Sequence, residues 1–275
     1  NESALLCARR RHPRITAQDI DDAILKVIVG IEKKSAVKIP KDRRITAVHE
    51  AGHAVVSHFL ENKDPVHEIS IIPRGMAAGY TYYVPSEDKQ HMSKKEILDN
   101  LVGLLGGRVA EEVVLDDICT GASNDIERAT ALARDMVTRY GMSNLGAISF
   151  GGDNDQVFLG RDLTTQRNCS DETEAKIDAE IKRFIDEAYA RAKAILEDHK
   201  QELVKVSDYL IEREKLSAEE FDKIMKGEEL EPLDGEKTAA EPKKPENKDE
   251  NANPVSDGGE AAAQPENGEE KPVDG

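Results

Sequence analysis

A chain of 275 residues with 38% hydrophobic and 34% charged side chains has enough apolar surface for a core of one or two domains. It has no run of about 18 apolar residues, and its first residues, NESALLCARRRHPR, lack the apolar stretch of a signal peptide, so no membrane-crossing segment is expected within it. The formal net charge of −17 argues against a nucleic-acid groove, although residues 234–275 hold twelve Asp+Glu against five Lys+Arg and leave only about −10 for the rest.

The opening NESALLCARR is helical in composition from its first residue with no start signal before it, so a longer chain is expected to precede it. Thr16 and Asp19 fit a capping box, and Ile20, Ala23, Ile24, Val27, Ile28 and Ile31 follow at helical spacing. The first thirty or so residues therefore read as a small helical unit. Residues 33–41 form a basic connector ending near Pro40, and 43–62 read as a longer helix with Ile45, Val48, Val55, Phe59 and Leu60 at apolar positions. Between 66 and 84 the runs HEISIIP and GYTYYV, separated by RGMAAG, predict a short sheet or hairpin beside that helix.

Ser93 with Glu96 repeats the capping box and opens a helix through Leu105, where Gly106 and Gly107 predict a bend before 108–115 continues helically. TGASND (120–125) reads as a loop feeding a helix over 126–140 that Gly141 closes. A Gly- and Asp-rich stretch near 150–155 precedes a long helical region over 171–213, and Ser217 with Glu220 caps a last short helix. From about Gly227 onward Glu, Pro, Lys, Asn and Gly dominate, and such a tail cannot bury enough surface to offset its ordering entropy, so disorder is expected there. The fold class predicted is mainly α with a small β element. Cys7, Cys119 and Cys169 are odd in number and far apart, which suggests neither a disulfide framework nor a thiolate zinc site and points to a reducing compartment.

His49-Glu50-Ala51-Gly52-His53 matches HExxH, which puts two imidazoles four apart on one helix face where they can share a metal. Zinc suits imidazole and carboxylate donors with one position left open. Glu50 stands beside the first ligand, where a general base for a metal-activated water is needed. By chance such a pattern arises in a chain of this length roughly once in a hundred, before its helical context is considered. A catalytic zinc needs a third ligand, and no HExxHxxGxxH extension supplies it; His58, five residues after His53, points elsewhere on the helix. Two carboxylates remain, Glu111 in RVAEE and Asp125 after TGASN, and spacing does not separate them, since an Asp at a helix start commonly caps that helix.

HEAGHA (49–54), the following IIPRG and GYT, GGRVAEE and TGASNDIERAT together resemble the FtsH family of ATP-dependent zinc metalloproteases, a match spanning about 1–227. The resemblance implies a helical, zincin-like peptidase domain over 42–227, with 1–32 as the end of an AAA+ lid, 33–41 as connector and 228–275 as an acidic tail outside the family pattern. It implies one Zn2+ per chain on His49, His53 and Asp125, Glu50 as the catalytic base, and Glu111 supporting a ligand from behind. Gly79, Tyr80, Thr81 and Tyr82 would form an edge strand that holds an extended substrate by main-chain bonds, with Ala78 standing where the family usually has Leu. It implies a homo-hexamer that uses ATP to thread unfolded or membrane proteins, anchored in the bacterial inner membrane with its protease in the cytoplasm. No Walker A pattern occurs here, so ATP and membrane would be reached only through parts absent from this chain. Two other readings stand beside it: a nonproteolytic oligomeric scaffold with a structural or absent metal, and a zinc hydrolase of small peptides or amides.

Overall fold

Thr16, Ser93 and Ser217 each accept the backbone N–H of the residue three on, and Asp19, Glu96 and Glu220 at those positions return a bond to the cap's own N–H. Two otherwise orphaned donors are satisfied at each start, so α2 (Ala17–Ile28), α4 (Lys94–Leu115) and α8 (Ala218–Met225) begin where the sequence puts them. In this computed structural model residues 1–33, 39–85, 89–150 and 169–232 are described. The centre of the basic connector, most of the Gly- and Asp-rich stretch after 150, and the tail beyond 232 lie outside them.

The remaining helices are α1 (Glu2–Arg9), α3 (Pro40–His58), α5 (Ser123–Thr138), α6 (Asp171–Asp198) and α7 (Lys200–Arg213). α3 starts with a proline, which gives up only an N–H that has no helical partner there. It stops short of the expected Asn62 because the N–H groups of Phe59 and Leu60 close on the carbonyls of Val56 and Ser57, while Asn62 turns its backbone and side-chain amides to Asp99. The helical region expected over 171–213 divides at His199, which leaves helical geometry and stacks flat on Phe59 at 3.7 Å.

α4 does not bend at its glycine pair. It runs unbroken to Leu115, and the glycines serve a crossing with α3. A Cβ on Gly52 would lie 2.4 Å from the Ala110 Cβ and 2.6 Å from the Gly106 carbonyl oxygen, and one on Gly106 would lie 2.9 Å from the Gly52 carbonyl oxygen. The two helices touch backbone to backbone. Around that crossing the core collects Val48 and Val55 from α3, Leu101 and Val109 from α4, Met136 from α5, Phe184 and Leu196 from α6, and Leu203, Leu210 and Phe221 from the C-terminal helices, all buried.

The predicted hairpin forms as β1 (Val66–Ser70) against β2 (Tyr80–Tyr83), antiparallel. A third strand, β3 (Lys215–Ser217), pairs with the other side of β1; three residues between two helices are too few for alternation to reveal. Among the described residues the strand order β2-β1-β3 leaves β2 with an open edge. α2 is amphipathic as predicted, but Ile20, Ile24, Val27, Ile28 and Ile31 are exposed, and only Asp19, Ala23 and Leu25 of the helix are buried. Among the described residues no helix is long and apolar enough to cross a membrane.

Replacing a helix-interior glycine by alanine ordinarily adds up to about 1 kcal/mol of stability. At Gly52 the sign reverses, because the added methyl overpacks the crossing at a cost of about 1–3 kcal/mol. Urea unfolding of Gly52→Ala should give a lower midpoint than the parent, with Gly121→Ala, whose new Cβ meets nothing within 4 Å, close to unchanged.

Candidate metal centre

One turn of α3 separates His49 from His53, and their imidazoles converge with the Nε2 atoms 3.0 Å apart. The other ring nitrogens are engaged. His53 Nδ1 is 2.8 Å from the Gly103 carbonyl oxygen, which can only accept, so Nδ1 carries the proton. His49 Nδ1 is 2.8 Å from Glu111 Oε1, and the same carboxylate accepts the Cys119 backbone N–H at 2.8 Å. In neutral rings both Nε2 lone pairs therefore face each other across 3.0 Å, an arrangement that asks for a cation between them.

Asp125 completes the group, its Oδ2 lying 3.3 Å from His49 Nε2 and 3.4 Å from His53 Nε2. It does not cap its helix. Ser123 begins α5, so Asp125 occupies the third position of the first turn, and no side chain caps that helix. The two carboxylates that the sequence left unresolved are thus separated by tertiary structure: Asp125 faces the Nε2 atoms and Glu111 the back of His49. Donor atoms of His49, His53 and Asp125 lie within 4.8 Å of one another, the one such group among the described residues. Gly107 lies against their open side, where a Cβ would stand 2.6 Å from both Nε2 atoms. Two imidazoles and a carboxylate around a space kept clear by a glycine fit zinc in a site with a free coordination position.

Glu50 is buried beside this group, and its Oε2 accepts the Thr81 hydroxyl at 2.8 Å. Gly79 is required next to it, since a Cβ there would come within 2.9 Å of the Glu50 Cγ and 2.8 Å of the Ser70 carbonyl oxygen. Burial pushes the Glu50 carboxyl above its ordinary value, against the pull of the His53 and His49 imidazoles. Burial works against a charged His49, but the carboxylates of Asp125 and Glu111 outweigh it and push that imidazole up to about 10. Burial likewise opposes the charge on Asp125, yet bonding to the two imidazoles holds its carboxyl well below the usual range.

These groups line a cavity of about 720 Å³ that runs along β2. Gly79, Tyr80 and Thr81 line it, whereas Tyr82 does not: its ring lies edge-on to His67. Thr81 and Tyr83 turn towards α3, the Tyr83 hydroxyl reaching the His53 carbonyl at 3.2 Å, while Tyr80 bonds Glu68 on the other face. Sequence reasoning missed Gly103, Gly107, Lys63 and Arg128 as neighbours of the site. Nothing local marks them except the Gly106-Gly107 pair, which reads as a break. His58 stays outside the cluster, edge-on to Phe59 and Phe221.

Residues 36–224 match the model of peptidase family M41. The chain is 56% identical over 232 residues to the ATP-dependent zinc metalloprotease FtsH 1 of Thermoanaerobacter sp. (strain X514), covering 84% of this chain and 38% of that protein. It is 52% identical over 226 residues to the ATP-dependent zinc metalloprotease FtsH of Caldicellulosiruptor bescii, covering 82% and 37%. To the protein of that name from Thermotoga maritima it is 48% identical over 230 residues, covering 83% and 38%. The chain thus spans little more than a third of the length of these curated relatives.

Gly107→Ala places a methyl among the ring nitrogens and should lower zinc affinity by at least tenfold while leaving the helical circular dichroism unchanged. Competition with a chromophoric chelator measures it, and parent-like affinity would show that the rings do not meet a metal on that side.

Proposed function

This chain belongs to peptidase family M41 and is a zinc metalloprotease domain, and from that premise we propose that His49, His53 and Asp125 hold its metal and that Glu50 moves the protons of peptide hydrolysis. The observation that carries this reading is the convergence of three donors on one space, with a buried, non-ligating carboxylate beside it. A bound zinc supplies Lewis-acid polarisation of the scissile carbonyl and makes a water acidic enough to attack near neutral pH. The residues do the rest. Glu50, its carboxyl raised by burial towards the working pH, takes the proton of the attacking water and passes it to the leaving amine. Thr81 fixes its orientation through the 2.8 Å bond to Oε2. Glu111 and the Gly103 carbonyl keep each Nδ1 protonated, which turns both Nε2 atoms to the metal.

The open edge of β2 suits an extended polypeptide added as a further strand, with Gly79, Tyr80, Thr81 and Tyr82 offering main-chain groups. Main-chain holding requires little of the substrate's sequence. We assign 1–32 to the end of an ATPase lid, 33–41 to a connector, 42–227 to the peptidase and 228–275 to a solvated acidic extension. In the longer protein this domain would work in a hexameric ring that delivers unfolded or membrane proteins by ATP-driven threading, anchored in a bacterial inner membrane with the peptidase in the cytoplasm. The nonproteolytic scaffold is not favoured: the family is a peptidase family, and a structural zinc site has no use for a buried carboxylate beside its ligands.

Glu50→Gln should keep one zinc per chain and abolish peptide cleavage, whereas Asp125→Ala should lose both. Mass spectrometry of the metal and a casein-degradation assay of the full-length versions decide this, and undiminished cleavage by Glu50→Gln would overturn the assignment. Glu111→Gln should retain the fold and bind zinc about 10 to 100-fold more weakly. Zinc loss in Glu111→Gln beside full retention in Asp125→Ala would exchange the two roles.

A further inference from the structure

Two cations line the same cavity as the metal group: Lys63, from the turn after α3, and Arg128, on α5 about one turn beyond Asp125. Lys63 is half-buried and held in place. Its Nζ donates to Asn100 Oδ1 at 2.7 Å, lies 5.1 Å from the centre of the Tyr83 ring, and packs where a Gly103 side chain would be, 3.3 Å from that absent Cβ. Gly103 is the residue whose carbonyl accepts from His53 Nδ1, so the ammonium stands against the segment that orients a proposed ligand. An ammonium has three donors, and Asn100 engages one of them. Arg128 is exposed.

Among the described residues neither cation has a carboxylate within ion-pair distance, although most other arginines and lysines of the domain do. Burial lowers the Lys63 ammonium below its ordinary value and the Arg128 guanidinium acts the same way, while Asp64 and Asp99 oppose them from beyond ion-pair distance. Within the cavity the acidic groups are otherwise committed: Glu111 to His49 and Cys119, Asp125 to the two imidazoles, Glu50 to Thr81.

We propose that Lys63 and Arg128 form a cationic subsite that selects a carboxylate of the bound peptide a few residues from the scissile bond. It rests on the protease reading above and deepens it: main-chain pairing with β2 is indifferent to sequence, and this pair adds a preference at one position. Both an acidic side chain and a free C-terminal carboxylate carry the required chemistry. Arg128 offers a planar fork and Lys63 a fixed point charge, and charge-assisted bonds to both would form where the half-buried ammonium strengthens them.

The test uses the full chain as Glu50→Gln, loaded with zinc, so that peptides bind without being cut. Fluorescently tagged, C-terminally amidated ten-residue peptides carry Glu or Gln scanned through the sequence, with a third set carrying Gln and a free C-terminal acid. Fluorescence anisotropy should show one position at which Glu binds about five- to tenfold more tightly than Gln, an advantage that added salt reduces. Lys63→Met should remove that advantage, Arg128→Gln should reduce it, and Lys63→Glu should transfer the preference to a Lys peptide, all with zinc content unchanged. An advantage confined to the free-acid set would keep the subsite and identify its ligand as the chain end. Equal binding of Glu and Gln peptides in the parent, with no gain for the free acid, overturns the subsite alone. A preference that survives in both Lys63→Met and Arg128→Gln overturns it as well. Absence of binding by any peptide overturns the proposed pairing of substrate with β2, and the subsite with it.

Discussion

The backbone contact between α3 and α4 at Gly52 and Gly106 is the constraint on which the rest of the molecule depends. With both helices lacking a side chain at the crossing, α4 comes close enough to place Gly103, Gly107 and Glu111 along the face of α3 that carries His49 and His53. A one-methyl increase in separation is a small change for a core that can repack, but it is large for a bond of 2.8 Å between an imidazole and its partner. The glycine in the middle of HEAGH is therefore structural in the strict sense: it sets the distance at which the chemistry is assembled.

Charge explains why the group tolerates its own burial. Glu50, Glu111 and Asp125 share a small volume with two imidazoles, and three carboxylates there would repel one another without a balancing positive charge. The lowered Asp125 and the raised His49 reflect the pairing of carboxylates with imidazoles, and the raised Glu50 reflects its burial. In the proposed site a divalent cation on the Nε2 side would restore balance and leave Glu50 as the carboxylate free to exchange a proton. Lys63 and Arg128, which line the same cavity, extend the same logic to the substrate in the proposed subsite.

Much of this was legible in the sequence, for reasons that are local. Capping boxes at Thr16, Ser93 and Ser217 are closed within four residues, so three helix starts could be read directly. HExxH is likewise a statement about one helix turn. Features made by distant segments meeting were not legible. Gly106-Gly107 carries the usual signal for a bend, but here packing against α3 and the imidazoles outweighs the local preference. The choice between Asp125 and Glu111 depends on which face of His49 each reaches, a tertiary fact that the resemblance supplied and spacing did not. The apolar stripe of α2 was correctly read as a stripe, yet nothing in its periodicity says whether the domain itself covers it.

The central claim is that two imidazoles and one carboxylate of this chain hold a zinc ion, and X-ray absorption at the zinc edge of the loaded protein tests it most directly. The expected result is a first shell of nitrogen and oxygen at about 2.0–2.2 Å, an outer-shell pattern of two imidazoles, and no sulfur. A sulfur shell at about 2.3 Å, or the signature of fewer than two imidazoles, would contradict it.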